Sequence, residues 1–290
     1  MNTLAALYGR ALRFRRTWYE RHPEARRVLD RPVVSIGNLA LGGRGKTPAA
    51  AAVARILQAH GHRPSVLSRG YGRRRAGDGV VVVSDGERTL AAVEHSGDEP
   101  LMLARALPGV PVLVSSDRYL AGRLAERRLG CTVHILDDGF QHLQLARVVD
   151  LLLVDPSDLD DRVVPAGRLR EPLSAARAAH ALLVHGDEEQ AARAAEALGA
   201  GAAFRVVTCY GELQPIAAND VPTGARVFAV AGVARPARFF DALAARGLDV
   251  VGRAVFRDHH WFTARDVARI EAEAAAAGAQ AVVTTEKDLM

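Results

Sequence analysis

Short apolar runs punctuate this chain, and between them apolar residues recur every three or four positions. The runs at 33–36, 65–67, 80–83, 112–114, 132–136, 150–154 and 181–184 predict strands. The stretches 48–60, 99–107, 118–129 and 188–198 carry helical spacing, and their many alanines favour helix. Apolar strands alternating with helices predict a parallel sheet covered on both faces. Ligands of such sheets bind beyond the carboxyl ends of the strands, which makes the loops there the leading candidates for a binding site. Residues 209–224 contain Gly211, Pro215, Asn219, Pro222 and Gly224 and break the pattern, which predicts a linker. The pattern restarts as strand 227–230, helix 236–246, strand 249–251, helix 263–277 and strand 281–284. The expected plan is a helix over 1–22, a large α/β core over 23–208, the linker, and a smaller α/β domain over 225–290. The sequence ends at Met290 just after a strand, so that domain is read as shortened at its C-terminus.

In the first segment Leu4, Leu7, Ala11, Phe14 and Trp18 share one helix face. Arg10, Arg13 and Arg16 lie elsewhere around the helix, and Arg15 near the stripe has to snorkel. The stripe admits two readings: packing on the protein's own core, or lying in a lipid headgroup layer.

Composition narrows the classes. The chain has 290 residues, 49% hydrophobic and 24% charged, as a folded globular protein should. Lys and Arg outnumber Asp and Glu by 38 to 33, a mild excess that suits an anionic partner. Two cysteines, Cys131 and Cys209, exclude a disulfide framework or a zinc site and read as buried small apolar residues. No run reaches the roughly 18 apolar residues of a membrane span, and no secretory signal is visible. The expectation is a cytoplasmic protein, resting at most on a membrane surface.

The chemistry begins after the first strand, at LALGGRGKTP. A phosphate-binding loop needs a strand, a glycine-rich turn, then Lys and Ser/Thr opening a helix. Gly42, Gly43, Arg44 and Gly45 supply the turn, Lys46 reaches for β and γ phosphates, and Thr47 for Mg2+. Pro48 sits in the first helical turn, where its missing N–H matters little. The usual first glycine is replaced by Ala40. A second acidic strand end is needed for the metal, and Asp137-Asp138 closes the apolar run 132–136. In Ser96-Gly97-Asp98-Glu99-Pro100, Asp98 or Glu99 suits a carboxylate that takes a hydroxyl proton, and Glu99 is also a metal candidate. The same four residues, Ser96 to Glu99, match a capping box. Arg69, Arg118 and Arg170-Glu171 lie in further loops that suit a second anionic substrate.

Together these blocks resemble the tetraacyldisaccharide 4'-kinase (lipid A 4'-kinase) family. The resemblance rests on VVSIGNLALGGRGKTP, LSRGYGR, SGDEP, SSDR, ILDDGFQH, PAGRLREPLSA, AVAGVARPARFF, FRDHHWF and VVTTEKD in that order. The family's loop also departs from the standard spacing at the position of Ala40. The resemblance implies transfer of the γ-phosphate of ATP to the 4'-hydroxyl of a tetraacylated glucosamine disaccharide 1-phosphate. It places that reaction at the cytoplasmic face of the bacterial inner membrane, with the enzyme a peripheral protein and the N-terminal helix in lipid contact. By the family's motifs Lys46 and Thr47 hold ATP and Mg2+, Asp98 is the base, and His259, rather than His260, pairs with it across a domain cleft. Asp137, Asp138, Gln141 and His142 fall in the ATP–Mg2+ block, and Arg118, Arg170 and Glu171 line the headgroup cleft. The family's chains commonly continue past the TTEKD block. Two rival readings are an ATPase or ligase with another small substrate, and a basic nucleic-acid-binding switch. No nucleic-acid module is visible, and the expected state is a monomer.

Overall fold

The computed structural model describes residues 3–75, 77, 79–216 and 221–290. Two compact units make up the chain, Met1–Val207 and Thr208–Met290. The linker expected at 209–224 falls within the second unit; its residues 217–220 lie outside the described residues.

The first unit contains β1 (Val33–Asn38), β2 (Pro64–Ser68), β3 (Val81–Ser84), β4 (Val112–Val114), β5 (Val133–Asp137), β6 (Val149–Val154), β7 (Ala181–His185) and β8 (Ala203–Val206). Its helices are α1 (Thr3–Arg21), α2 (Lys46–Ala59), α3 (Val93–Ser96), α4 (Asp98–Ala106), α5 (Arg118–Leu129) and α6 (Glu188–Leu198). The sheet order is β3-β4-β2-β5-β1-β6-β7-β8. Every neighbouring pair is parallel except β3–β4 at one edge. Consecutive residues Val66 and Leu67, which face opposite sides of β2, are both fully buried. That is the signature of a sheet covered on both faces, with α2 and α4 against one part of it and α5 packed on β2 and β4. The strand β8 has no counterpart in the sequence reading. It is a short edge strand whose Phe204 and Arg205 are exposed, so it lacks an apolar run.

β1 lies between β5 and β6, with Ile36 opposite Asp137 and Asn38 opposite Leu153. This register brings the loops after β1, β5 and β6 to one edge. Gly37 allows it: a Cβ there would come within 2.5 Å of the Phe140 Cβ. Asp117 caps α5 by accepting from the amides of Tyr119 at 3.0 Å and Leu120 at 3.3 Å, a contact worth about 1 kcal/mol.

The second unit is a three-stranded parallel sheet, β10-β9-β11, from β9 (Arg226–Ala231), β10 (Asp249–Val255) and β11 (Ala281–Thr284), with α7 (Pro236–Ala245) and α8 (Ala264–Ala276). Val227, Ala229 and Ala231 pack with Phe240 and Leu243 of α7, and Phe228 and Val230 with Ile270 and Ala274 of α8.

The structure corrects one expectation and narrows two open readings. Cys131 is buried, but Cys209 is exposed, because it lies in an extended segment outside the core. The capping box at Ser96 is not formed. The chain turns at Gly97 (φ +85°), which ends α3 and precedes α4, and the Ser96 hydroxyl donates instead to the carbonyl oxygens of Ala92 and Gly97. Finally, α1 does not pack through its apolar stripe. Leu4, Leu7, Phe14 and Trp18 are exposed, while Gly9 and Arg16 are buried. Arg16 donates to the Glu171 carboxylate at 2.9 and 2.7 Å and lies 4.5 Å over the Phe140 ring, so a buried ion pair and a cation–π contact orient the helix.

Candidate functional site

The turn after β1 ends at Gly45, whose left-handed backbone (φ +79°) starts α2 at Lys46. The amides of Lys46 and Thr47 have no intrahelical acceptor and stand at the positive end of the helix, a ready anion site. Upstream, residues 39–41 pair with the loop between β6 and β7: the Leu41 amide donates to the Arg168 carbonyl at 2.8 Å and the Arg170 amide to the Leu39 carbonyl at 2.5 Å. This brings Arg170 beside the glycine turn.

β5 delivers the acidic pair. Asp137 is buried, and its Oδ1 has no hydrogen-bond partner. Burial, then the charges of Glu99 and Asp138, push its pKa up to about 7, against the pull of Lys46 and Arg118. Asp138 takes a left-handed backbone (φ +55°), unusual for a non-glycine residue, and turns its carboxylate toward cations. The Arg170 Nη1 lies 2.9 and 2.7 Å from its two oxygens, and the Lys46 Nζ lies 3.8 Å away. Gln141 donates to the Asn38 carbonyl at 3.0 Å, which ties the β5 loop to the end of β1. His142 is pushed down to about 4 by burial and by Arg118 and Arg147, so it is neutral at pH 7.

Other predicted residues gather on the same edge. Arg118 opens α5, is buried, and donates to the Ser116 carbonyl at 3.1 Å. Burial and the neighbouring Arg69 lower it to about 10, while Asp138 and Asp137 hold it charged. Arg69, just past β2, is exposed. Asp98 opens α4, and its Oδ1 accepts from the Glu99 amide at 2.9 Å. Gly70 and Gly97 bring the two loops into contact: a Cβ on Gly70 would lie 2.8 Å from the Ser96 carbonyl oxygen, and one on Gly97 would lie 2.8 Å from that of Tyr71.

Two predicted residues turn their side chains elsewhere, and His259 lies in the second unit as read from sequence. Glu171, read as a headgroup contact, is buried and bonded to Arg16 of α1. The side chain of Arg44, read as part of the nucleotide cradle, is 1% exposed and pairs with Asp155 and Asp158 beneath the loop. His259 belongs to the second unit, where its Nε2 lies 3.8 Å from Asp258 and its backbone is left-handed (φ +59°). The adjacent His260 is built into a cluster, stacked on Phe256 at 4.7 Å and 3.3 Å from Asp266, the residue that completes the α8 capping box.

Two braces were missed by sequence reasoning. Arg147 pairs with Asp150 at 2.8 Å and donates to the carbonyls of Gly139, Phe140 and His142, holding the β5 loop. Asp155, Asp158 and His185 support the glycine turn. Asp158 and His185 carry no local mark, since each acts on Arg44 more than a hundred residues away, while Arg147 acts within eight residues of itself but belongs to no recognisable motif.

The donor set suits a hard cation. Asp137 offers a buried carboxylate oxygen with no protein donor, within reach of the Lys46 charge at the start of α2. Among the described residues no group of three acidic, His or Cys side chains forms a metal cage. Mg2+ in phosphoryl-transfer sites needs none, because it takes one or two protein oxygens and completes its shell with phosphates and water.

Comparison with known proteins identifies the family. The family model described as "Tetraacyldisaccharide-1-P 4'-kinase" matches residues 1–290. This chain belongs to the tetraacyldisaccharide 4'-kinase family. It is 44% identical to the tetraacyldisaccharide 4'-kinase of Geobacter sulfurreducens, over 98% of this chain and 81% of that protein. It is 39% identical to that of Desulfotalea psychrophila, over 99% of this chain and 86% of the relative. The crystal structure of LpxK from Aquifex aeolicus in complex with ATP matches with a TM-score of 0.75 and 32% identity, over 99% of this chain and 87% of that one. As a member of the tetraacyldisaccharide 4'-kinase family the chain is an enzyme, an ATP-dependent kinase.

Proposed function

We propose that the chain transfers the γ-phosphate of ATP to the 4'-hydroxyl of a tetraacyldisaccharide 1-phosphate, a step of lipid A biosynthesis. The observation that carries this reading is the Asp137 carboxylate, buried at the end of β5 with an unpartnered oxygen beside Lys46. In a site with no ligand, such a group is a stability liability; with Mg-ATP it is satisfied.

In this reading the amides of the glycine turn and the start of α2 hold the β and γ phosphates, and Lys46 offsets the charge that develops during transfer. Thr47 and Asp137 would hold Mg2+, which supplies charge neutralisation across the β and γ phosphates. Asp138 keeps Lys46 and Arg170 oriented, and Glu99 tunes Asp137. Gln141 and His142 line the nucleotide side. Asp98 accepts the proton of the attacking hydroxyl, and His259 pairs with Asp98 during turnover. Two observations favour His259 over its neighbour: its strained backbone, and the commitment of His260 to the Phe256 cluster. Arg69, Arg118 and Arg170 offer positive charge to the anionic headgroup.

The enzyme works as a monomer on the cytoplasmic face of the inner membrane. Support comes from α1, whose apolar stripe of Leu4, Leu7, Phe14 and Trp18 is exposed and flanked by arginines. Among the described residues no helix is long and apolar enough to cross a membrane, so the proposed attachment is interfacial.

The test is phosphate transfer from labelled ATP to tetraacyldisaccharide 1-phosphate in detergent micelles with Mg2+. Product that disappears in Lys46→Ala supports the reading. A folded chain that binds ATP but phosphorylates no such lipid refutes the acceptor assignment.

A further inference from the structure

The middle residue of the Gly-Arg-Gly turn is turned away from where a nucleotide would lie. Arg44 is 1% exposed, as deeply buried as the core leucines. Its Nη1 lies 3.5 Å from the Asp155 carboxylate, and its Nη2 donates to Asp158. Both carboxylates are themselves locked. Asp155 follows β6, the strand beside β1, and opens a short 3-10 turn, Pro156–Asp158. The Asp155 carboxylate accepts from the Ser157 hydroxyl at 2.6 Å and amide at 3.2 Å, and Asp158 accepts from the Asp155 amide at 3.0 Å. The two acids are therefore pre-aimed by a reciprocal capping box before Arg44 arrives.

A second hold acts on the main chain of the same residue. His185, the last residue of β7, donates its Nε2 hydrogen to the Arg44 carbonyl at 2.8 Å. The His185 ring also lies against Gly45, whose added Cβ would sit 3.5 Å from that nitrogen. Side chain and carbonyl of Arg44 are thus fixed to the carboxyl ends of two strands, β6 and β7. With its carbonyl held by His185, the peptide plane that Arg44 shares with Gly45 has little freedom to turn the Gly45 amide.

We propose that Arg44, Asp155, Asp158 and His185 form a buried strut that positions the phosphate-binding turn of this kinase without touching the nucleotide. Asp155, Asp158 and His185 are positioning residues, and Arg44 positions through its side chain while its amide remains part of the cradle. The inference rests on the reading of that turn as the ATP site.

The experiment measures Mg-ATP binding by titration calorimetry, with thermal unfolding and steady-state kinetics, on the full chain. His185→Leu removes the carbonyl hold and leaves Arg44, Asp155 and Asp158 in place. It should raise the Kd and the KM for ATP on the order of tenfold or more, as loss of an orienting contact behind a ligand typically does. Its unfolding midpoint and its KM for the lipid acceptor should stay close to the parent's. Arg44→Met alone strands two buried carboxylates and should lower the unfolding midpoint. The triple variant Arg44→Met/Asp155→Asn/Asp158→Asn relieves that charge; it should recover the midpoint yet keep the weakened ATP binding. A purely structural cluster predicts the opposite, with ATP affinity returning along with stability, and that result would overturn the proposal. So would a His185→Leu enzyme with the parent's ATP affinity, which decides the matter if the triple variant does not fold. A parent chain that binds no Mg-ATP would refute the ATP reading itself and the strut with it, an outcome distinct from both.

Discussion

The two ends of β5 handle buried polar groups in opposite ways. Near its start, His134 is fully buried, with Nδ1 2.7 Å from the Ser65 hydroxyl and Nε2 3.3 Å from Glu126. The neutral ring satisfies both, accepting from Ser65 and donating to Glu126, which also accepts from the Arg31 amide at 2.8 Å. At its end, Asp137 keeps an oxygen with no partner, Gln141 and Asn38 keep others, and Asp138 bends into a strained backbone. Two residues of one strand, Ile135 and Leu136, separate a closed network from an open one. Closure is what a structural polar cluster looks like, and an open one leaves oxygens available to the ligand proposed for that end.

The largest effect should follow from removing the chemistry at the open end. Lys46→Ala and Asp98→Ala should each lower kcat by on the order of a thousandfold, within the range for lost charge stabilisation or a lost general base. Asp98→Ala should keep its Mg-ATP affinity, read by calorimetry. An Asp98→Ala enzyme with near-normal turnover would end its assignment as base.

Asp137→Asn separates function from stability. Activity should collapse, while the unfolding midpoint holds or rises. The native pKa, about 7, is raised above the ordinary 3.8. The folded state therefore binds the proton more tightly, and Asp137 destabilises the fold increasingly as pH rises across that window. The variant's gain over the parent should thus be greater at pH 8 than at pH 5. A variant clearly less stable than the parent at both pH values would show that Asp137 is a structural group after all.

At the closed end the signs reverse. His134→Leu strands Ser65 and Glu126 and should cost about 1–3 kcal/mol in urea denaturation, with kcat per folded molecule unchanged. Burial holds the His134 pKa below its ordinary 6.5. Its contribution is intact above that value and is lost as pH falls below it toward the lower folded value, so the parent should weaken from pH 7.5 to 5.5 more steeply than the variant. Equal slopes would remove His134 as the source of acid sensitivity.

The smallest effect on stability belongs to α1. Phe14 is 73% exposed, so Phe14→Ser should shift stability by no more than about 0.5 kcal/mol. The same change should reduce co-sedimentation with anionic vesicles. Unchanged vesicle binding would count against the stripe as the membrane contact.

Much of this was legible because the signals are local. Asp117 and Gly130 bracket α5, and apolar runs mark the central strands within a residue or two. The glycine turn, the acidic pair after β5 and the exposed stripe's spacing were visible because the residues concerned are neighbours in the chain. β8 was not, since a short edge strand needs no apolar alternation. The Ser96 capping box looked right in sequence and failed because Gly97 turns the chain between two short helices.

By itself the sequence determined the alternation of strands and helices and the family, since these depend on periodicity and on adjacent residues. Only the tertiary structure decided which way the long charged side chains turn. Arg44 goes under its loop to Asp155 and Asp158, Arg16 goes to Glu171, and the apolar stripe of α1 is left facing outward. A buried charge must find its counter-charge wherever the fold brings one, and in each of these pairs the partner lies more than a hundred residues away.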